Sequence, residues 1–192
     1  MCKSLHESGE QSSEWFLNLA SLLGKYGFNS VPDQVEEVKS IIKIVNLALE
    51  CEYVEKWKAQ VNESPKCSAL YKHIKHIFER EYYLENLPDN LRLAISRIRT
   101  SNHRLPIEVG RYADNVPREE RICTHCDTRA VGDEYHFILT CTNPTLLVLR
   151  EKYISPYYTL NPSLTKLKEL FLNRGRKLFK LARYIEEGLR LY

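Results

Sequence analysis

Apolar residues recur along most of this chain at steps of three and four, the spacing of a single helical face. Trp15, Leu19, Leu22 and Tyr26 begin the pattern, and Gly24 and Gly27 end the helix it predicts. Pro32-Asp33 opens a second helix, with Val35, Val38, Ile42, Val45 and Leu49 on one face. Trp57 and Val61 extend that face until Ser64-Pro65 stops it. A third helix is predicted over about residues 67–80, with Leu70, Ile74 and Ile77 turned inward. Asn86-Leu87-Pro88-Asp89 is a break followed by a capping signal. It divides the chain into an N-terminal helical connector, residues 1–86, and a second domain, residues 87–192. In that domain Leu91, Ile95 and Ile98 mark a helix continuing toward His103, and a short helix follows over 106–112. Residues 145–153 read as helical, 155–162 as a tyrosine-rich loop. Leu164, Leu167 and Phe171, then Leu178, Leu181, Ile185 and Leu189, give one or two closing helices. The expected class is mainly α, a helical bundle.

Composition leaves that picture standing and narrows it. A chain of 192 residues with 43% hydrophobic and 28% charged side chains has enough apolar surface for one well-buried core or two small ones. No apolar run approaches the roughly 18 residues that suggest a membrane span. The opening MCKSLHESGEQ has no apolar stretch of the secretory kind. The expected setting is therefore intracellular, nucleus or cytoplasm, where cysteines serve as metal ligands or buried thiols rather than disulfides. Charge is uneven. Residues 1–64 hold six Lys/Arg and ten Asp/Glu, whereas residues 164–192 hold eight basic and three acidic side chains. A basic C-terminal part suits an anionic partner such as nucleic acid, and equally describes a solvated helical face.

The chemistry concentrates in CTHCDTRAVGDEYHFILTC, residues 123–141. Cys123 and Cys126, three apart, fit a tight knuckle presenting two thiolates to one ion. His136 and Cys141 have the spacing for a short helix, or its end, to supply two more ligands, with Asp133 as its cap. A Cys₃His set suits tetrahedral Zn²⁺. Four protein ligands close the shell, so the metal is expected to be structural. The bland alternative is three buried cysteines and a core histidine. His125 lies between the two cysteines and points away from a knuckle that uses both. Cys51 and Cys67 read as core thiols and Cys2 as an exposed one.

The strings LRLAISRIRTSNHRLPIEVGRY, RICTHC and GDEYHFILTC together resemble the C-terminal region of LINE-type (non-LTR) retrotransposon polyproteins. There a Cys-Cys-His-Cys zinc motif follows the reverse transcriptase. The matching residues are Arg97–Arg99, Ser101–His103, Glu108–Tyr112, Cys123, Cys126, Asp133–Phe137 and Cys141. The resemblance is most specific over residues 87–141. It implies zinc-assisted binding of RNA or DNA. No Tyr/Phe-x-Asp-Asp dyad of a polymerase is present, so the chain is a fragment of such a polyprotein or a stand-alone descendant.

Candidate contacts follow from both lines of reasoning. If residues 91–103 form one helix, Arg92, Ser96, Arg99 and His103 fall within about 60° of each other, opposite Leu91, Ile95 and Ile98. Guanidinium groups at that pitch can track a phosphate backbone. Arg97, Arg104 and Arg111 lie in the stretch that resembles the family. Arg174, Arg176, Lys177, Lys180 and Arg183 form a second basic group, interrupted by Gly175. Tyr153, Tyr157 and Tyr158 suit loop packing better than base stacking. His103 with Asn102 lacks the carboxylates or open metal position of a nuclease, so no catalysis is expected. The expected function is a non-catalytic nucleic-acid-binding module, with RNA and DNA both open. The alternative is a zinc-stabilised interaction module, whose N-terminal helices dock a protein partner or a second copy.

Overall fold

The computed structural model describes residues 14–28, 35–64, 69–113 and 116–192. Cys2, Cys67, the Pro32-Asp33 opening and the side chains of Trp15 and Leu19 lie outside what it describes. The fold is mainly α, as the periodicity predicts. Among the described residues there is no β-strand, and Ile122 and Val131 make one isolated antiparallel bridge. No helix among them is long and apolar enough to cross a membrane.

The chain falls into two compact units, Met1–Gln60 and Val61–Tyr192. The first holds α1 (Glu14–Lys25) and most of the 29-residue α2 (Val35–Glu63). Its core is small: Leu23, Ile41 and Val45 are buried, with Tyr26 and Phe28 packed against them. Lys25 donates to the Glu52 carboxylate at 2.7 Å across the two helices. Ile42, Ile44, Leu47 and Leu49 are exposed, as is Cys51, which the sequence reading had made a core thiol. The reason is geometric: among the described residues, the short helix α1 covers only one side of α2.

The second unit contains one continuous core. It begins with α3 (Ala69–Ile74) and α4 (Tyr82–Asn86). The predicted third helix is thus much shorter, and Ile77, expected inside, is 66% exposed. Leu70, Ile74, Tyr83 and Leu87 belong to this core, so residues 61–86, grouped above with the connector, pack in the unit that carries the cysteines. Next comes α5 (Asp89–Arg99), which buries Leu91, Ala94, Ile95 and Ile98.

That helix does not reach His103. Thr100 N–H bonds the Ser96 carbonyl, and Asn102 N–H bonds the Arg97 carbonyl at 2.8 Å. Ser101 between them has φ +58. This is a Schellman cap, with a serine in the left-handed position that usually takes glycine. The helices α6 (Pro106–Ala113), α7 (Pro144–Tyr153), α8 (Pro156–Thr159), α9 (Leu164–Leu172) and α10 (Gly175–Gly188) complete the unit. The tyrosine-rich loop thus contains a helical turn. Asn143 caps α7, its side chain accepting from the N–H groups of Thr145 and Leu146.

The closing helix α10 is the spine of the core. Leu178, Leu181, Ala182, Tyr184 and Ile185 are all buried on its inner face against α5 and α7. The two leucines and the isoleucine each contribute roughly 1.5–3 kcal/mol by leaving water. Gly188 ends the helix where a Cβ would lie 2.9 Å from Phe137 Cζ, so the helix can approach the cysteine-bearing segment only without a side chain there.

Candidate metal centre

Residues 121–141 are shaped from both ends toward one point. Cys123 N–H donates to the Ala130 carbonyl and Gly132 N–H to the Arg121 carbonyl, both at 2.9 Å, which closes the knuckle carrying Cys123 and Cys126. Gly132 is fixed by a close approach, since a Cβ there would meet Pro106 at 2.7 Å. Asp133 then does what the sequence suggests: its carboxylate accepts from His136 N–H at 2.9 Å and caps the following turn. It also pairs with Arg118 at 2.8 Å.

The turn itself is a π-helix, His136–Thr140, closed by Cys141 N–H donating to the His136 carbonyl at 2.7 Å. This explains the His-x4-Cys spacing. In an α-helix, five residues leave two side chains about 140° apart. An i→i+5 hydrogen bond brings the fifth residue back over the first. His136 and Cys141 therefore face the same point, and Cys123 and Cys126 face it from the knuckle.

The four donor atoms all lie within 4.8 Å of one another. Cys123 Sγ is 3.9 Å from Cys141 Sγ, and Cys126 Sγ is 3.3 Å from His136 Nε2. The edges of a tetrahedral thiolate–imidazole site run roughly 3.5–3.8 Å. Such a cluster can hold a metal ion. Cys123, His136 and Cys141 are buried, and Cys126 is half-buried. Outer contacts set the ligands. His136 Nδ1 lies 3.0 Å from Thr140 Oγ1, which leaves Nε2 to face the thiols. Burial alone would push the Cys126 thiol up, but hydrogen bonds from Thr128, His136 and the Thr142 N–H hold it down at about 5. Burial, with the neighbouring thiols Cys123 and Cys126, pushes the Cys141 thiol up to about 12. Cysteine binds a metal as the thiolate, so binding an ion here would be linked to proton release.

Sequence reasoning missed the groups behind these ligands. Arg150, 6% exposed on α7, donates through Nε to the Ile138 carbonyl at 2.9 Å. Its Nη1 donates to the Cys141 carbonyl at 3.0 Å and Nη2 to the Phe137 carbonyl at 3.4 Å. Tyr184 of α10 donates to that same Phe137 carbonyl at 2.6 Å. A signal for Arg150 existed: it stands one turn after Leu146, on the face that must be buried. Tyr192 is the other omission. Its hydroxyl lies 3.6 Å from Cys123 Sγ, and burial raises its pKa. Its ring packs on His125 at 4.2 Å, which accounts for the knuckle histidine that binds nothing in the cluster.

The proposed nucleic-acid contacts separate into two groups. Arg99 is 2% exposed, donates to Glu81 at 2.7 Å and lies over the Tyr83 ring, so it is not on the outer face of α5. His103 is also withdrawn, its side chain buried with Nε2 3.1 Å from Glu134. The causes differ. The face of α5 opposite Leu91 meets α4 and the residue before it instead of solvent, which encloses Arg99. The helix ends at Arg99, which leaves His103 off that face beside Glu134. Arg92 is half-buried and tied to Asp89 and to the Leu84 carbonyl. Arg111 pairs with Glu108 and Arg183 with Glu186 and Glu187. Arg174 lies over the Tyr82 ring. Arg97, Arg104, Arg176, Lys177 and Lys180 are exposed, and among the described residues none of these five makes an ion pair. Tyr153 bonds Glu187, while Tyr157 and Tyr158 both bond Glu169, which accounts for them as packing residues.

No family model matches this chain, and no curated protein or solved structure does either.

Proposed function

We propose that this chain is a non-catalytic nucleic-acid-binding module of LINE-type retroelement origin, in which Cys123, Cys126, His136 and Cys141 hold one structural Zn²⁺. The observation that carries the binding role is the set of exposed cations Arg97, Arg104, Arg176, Lys177 and Lys180, none of which makes an ion pair among the described residues. Surface cations commonly settle against neighbouring carboxylates; these stay available, and arginine in particular matches phosphate with paired donors. The donor set supports zinc, since three thiolates and an imidazole suit a borderline-soft tetrahedral ion. Four protein donors leave no open position for a reacting water, which favours a structural role over a catalytic one.

The test is a salt series with RNA and DNA oligonucleotides, wild type against Arg97→Ala with Arg104→Ala. Phosphate contacts carry no base information, so affinity should fall about equally for unrelated sequences. Each lost contact should flatten the log–log salt slope by roughly 0.7 for a single strand or 0.9 for a duplex. An unchanged affinity and slope would refute the reading. A second reading, a protein-docking module, draws on the exposed Ile42, Ile44, Leu47 and Leu49 of α2. Apolar docking responds weakly to salt, so the same series separates the two.

A further inference from the structure

Two grooves lie on either side of the cap that ends α5. One, of about 490 Å³, is lined by Arg97, Asn102, His103, Arg104, Leu189, Arg190 and Tyr192. The other, of about 590 Å³, runs from Thr100 to Arg104 and on to Glu108, Val109, Arg111 and Tyr112. They share Asn102, His103 and Arg104, so residues 100–104 form a saddle between them. Four arginines line the pair, and Glu108 is the one acidic side chain among the lining residues. Arg111 pairs with Glu108 and Arg190 with Glu186, which leaves Arg97 and Arg104 without an ion pair among the described residues. Burial raises the pKa of the Glu108 carboxyl, and the Arg111 guanidinium beside it opposes the rise.

The two grooves differ in kind. The first brings together arginines from three segments: the last turn of α5, the saddle, and the 3₁₀ turn Leu189–Leu191 after α10. The second presents Tyr112, 66% exposed, beside the exposed Val109. The Arg111 guanidinium lies 4.7 Å from the Tyr112 ring and covers one face, while the Arg111 Nη2 donates to its hydroxyl at 2.8 Å. This orients the ring, which stays 66% exposed. An oriented aromatic with a free face can stack on a base only when that base is unpaired. A duplex, whose bases are already stacked inside, has no use for it.

We propose that residues 97–112, with Arg190, form a track for a single-stranded nucleic acid. Backbone phosphates lie in the arginine groove, the chain crosses the saddle at Arg104, and one base stacks on Tyr112. This rests on the nucleic-acid reading above and adds to it the strandedness and a residue that reads bases as flat faces. Stacking tolerates any base, so the track discriminates strand type without sequence.

The experiment measures affinity of the full chain, zinc-loaded, for a labelled 15-nucleotide single strand, its duplex and an abasic strand of the same length. Wild type is compared with Tyr112→Ala and Tyr112→Phe. The single strand should bind more tightly than the duplex. Tyr112→Ala should weaken single-strand binding by roughly 5- to 150-fold, the range for one lost base stack. Tyr112→Phe keeps the π face and should restore most of it. Neither change should alter abasic-strand binding, which uses only phosphate contacts. Equal or tighter duplex binding, or an unchanged single strand in Tyr112→Ala, overturns the track while leaving the nucleic-acid reading in place. Absence of binding to all three ligands overturns both. Tyr112 is largely in solvent, so zinc content and helicity should match wild type in both variants.

Discussion

Arg150→Met is the sharpest probe of how the metal centre is held. Arg150 is buried on α7 and, among the described residues, forms no ion pair. Its guanidinium instead satisfies the carbonyls of Ile138 and Cys141 and shares that of Phe137 with Tyr184. A methionine fills much of the same volume but donates nothing. Phe137 keeps its tyrosine partner, so two buried carbonyls lose theirs, at about 1–3 kcal/mol each. The gross cost is about 2–6 kcal/mol, reduced because a desolvated cation is removed at the same time. A second effect points the same way. With the proposed Zn²⁺ in place, three thiolates and a neutral imidazole would sum to −1, and Arg150 is the buried cation bonded to the ligand segment. We expect a net loss of about 2 kcal/mol, which lowers a urea midpoint by roughly 1 M. Zinc affinity should fall by about 10- to 100-fold, as for other outer-sphere changes. Arg150→Lys keeps the charge but not the fork and should fall between. Urea titration at fixed zinc, with chelator competition, checks both. An unchanged midpoint together with zinc affinity within twofold would refute the reasoning.

Cys126→Ser should abolish stoichiometric zinc, measured by elemental analysis, while Cys51→Ser keeps it, and alkylation should label the exposed Cys51 rapidly but Cys123 and Cys141 only after chelation. Ser101→Gly should raise stability by roughly 0.5–1 kcal/mol, because glycine enters the φ +58 position without the Cβ penalty; a lower melting temperature would contradict the cap assignment. Glu108 has a raised pKa in the folded chain, chiefly from burial, so its stabilising contribution is complete below its unfolded value near 4.3 and is lost as pH rises through the folded value. Stability of wild type relative to Glu108→Gln should therefore decline from pH 4 to 7, and parallel pH curves would refute it.

Much of this was legible from residue spacing because the information was local. The inner face of α10 follows directly from Leu178, Leu181 and Ile185, and the four donors follow from Cys-x2-Cys and His-x4-Cys. Asp133 as a cap was equally readable. The periodicity failed where tertiary partners decide. Arg99 sits at a polar-looking position, but Glu81 and Tyr83 arrive from a segment 16 to 18 residues away and enclose it. The end of α5 was missed because serine, not glycine, takes the left-handed cap. Cys51 looked like core by composition, yet the small first unit gives it no cover. The π-turn carries no compositional mark at all; only the His-x4-Cys interval, read as a register one residue longer than an α-turn, points to it.

Tyr192 touches two places at once: its hydroxyl reaches Cys123, and the residue lines the arginine groove. A group shared in this way ties two binding equilibria into one thermodynamic cycle. If loading the cysteine centre fixes Tyr192 and so tightens the groove for phosphate by some factor, then occupancy of the groove must tighten the cysteine centre for its ion by that same factor. With the proposed metal and strand both bound, chelator resistance would then be a gauge of what lies in the groove, readable without labelling any oligonucleotide. Cutting the shared contact with Tyr192→Phe should bring that coupling factor toward one.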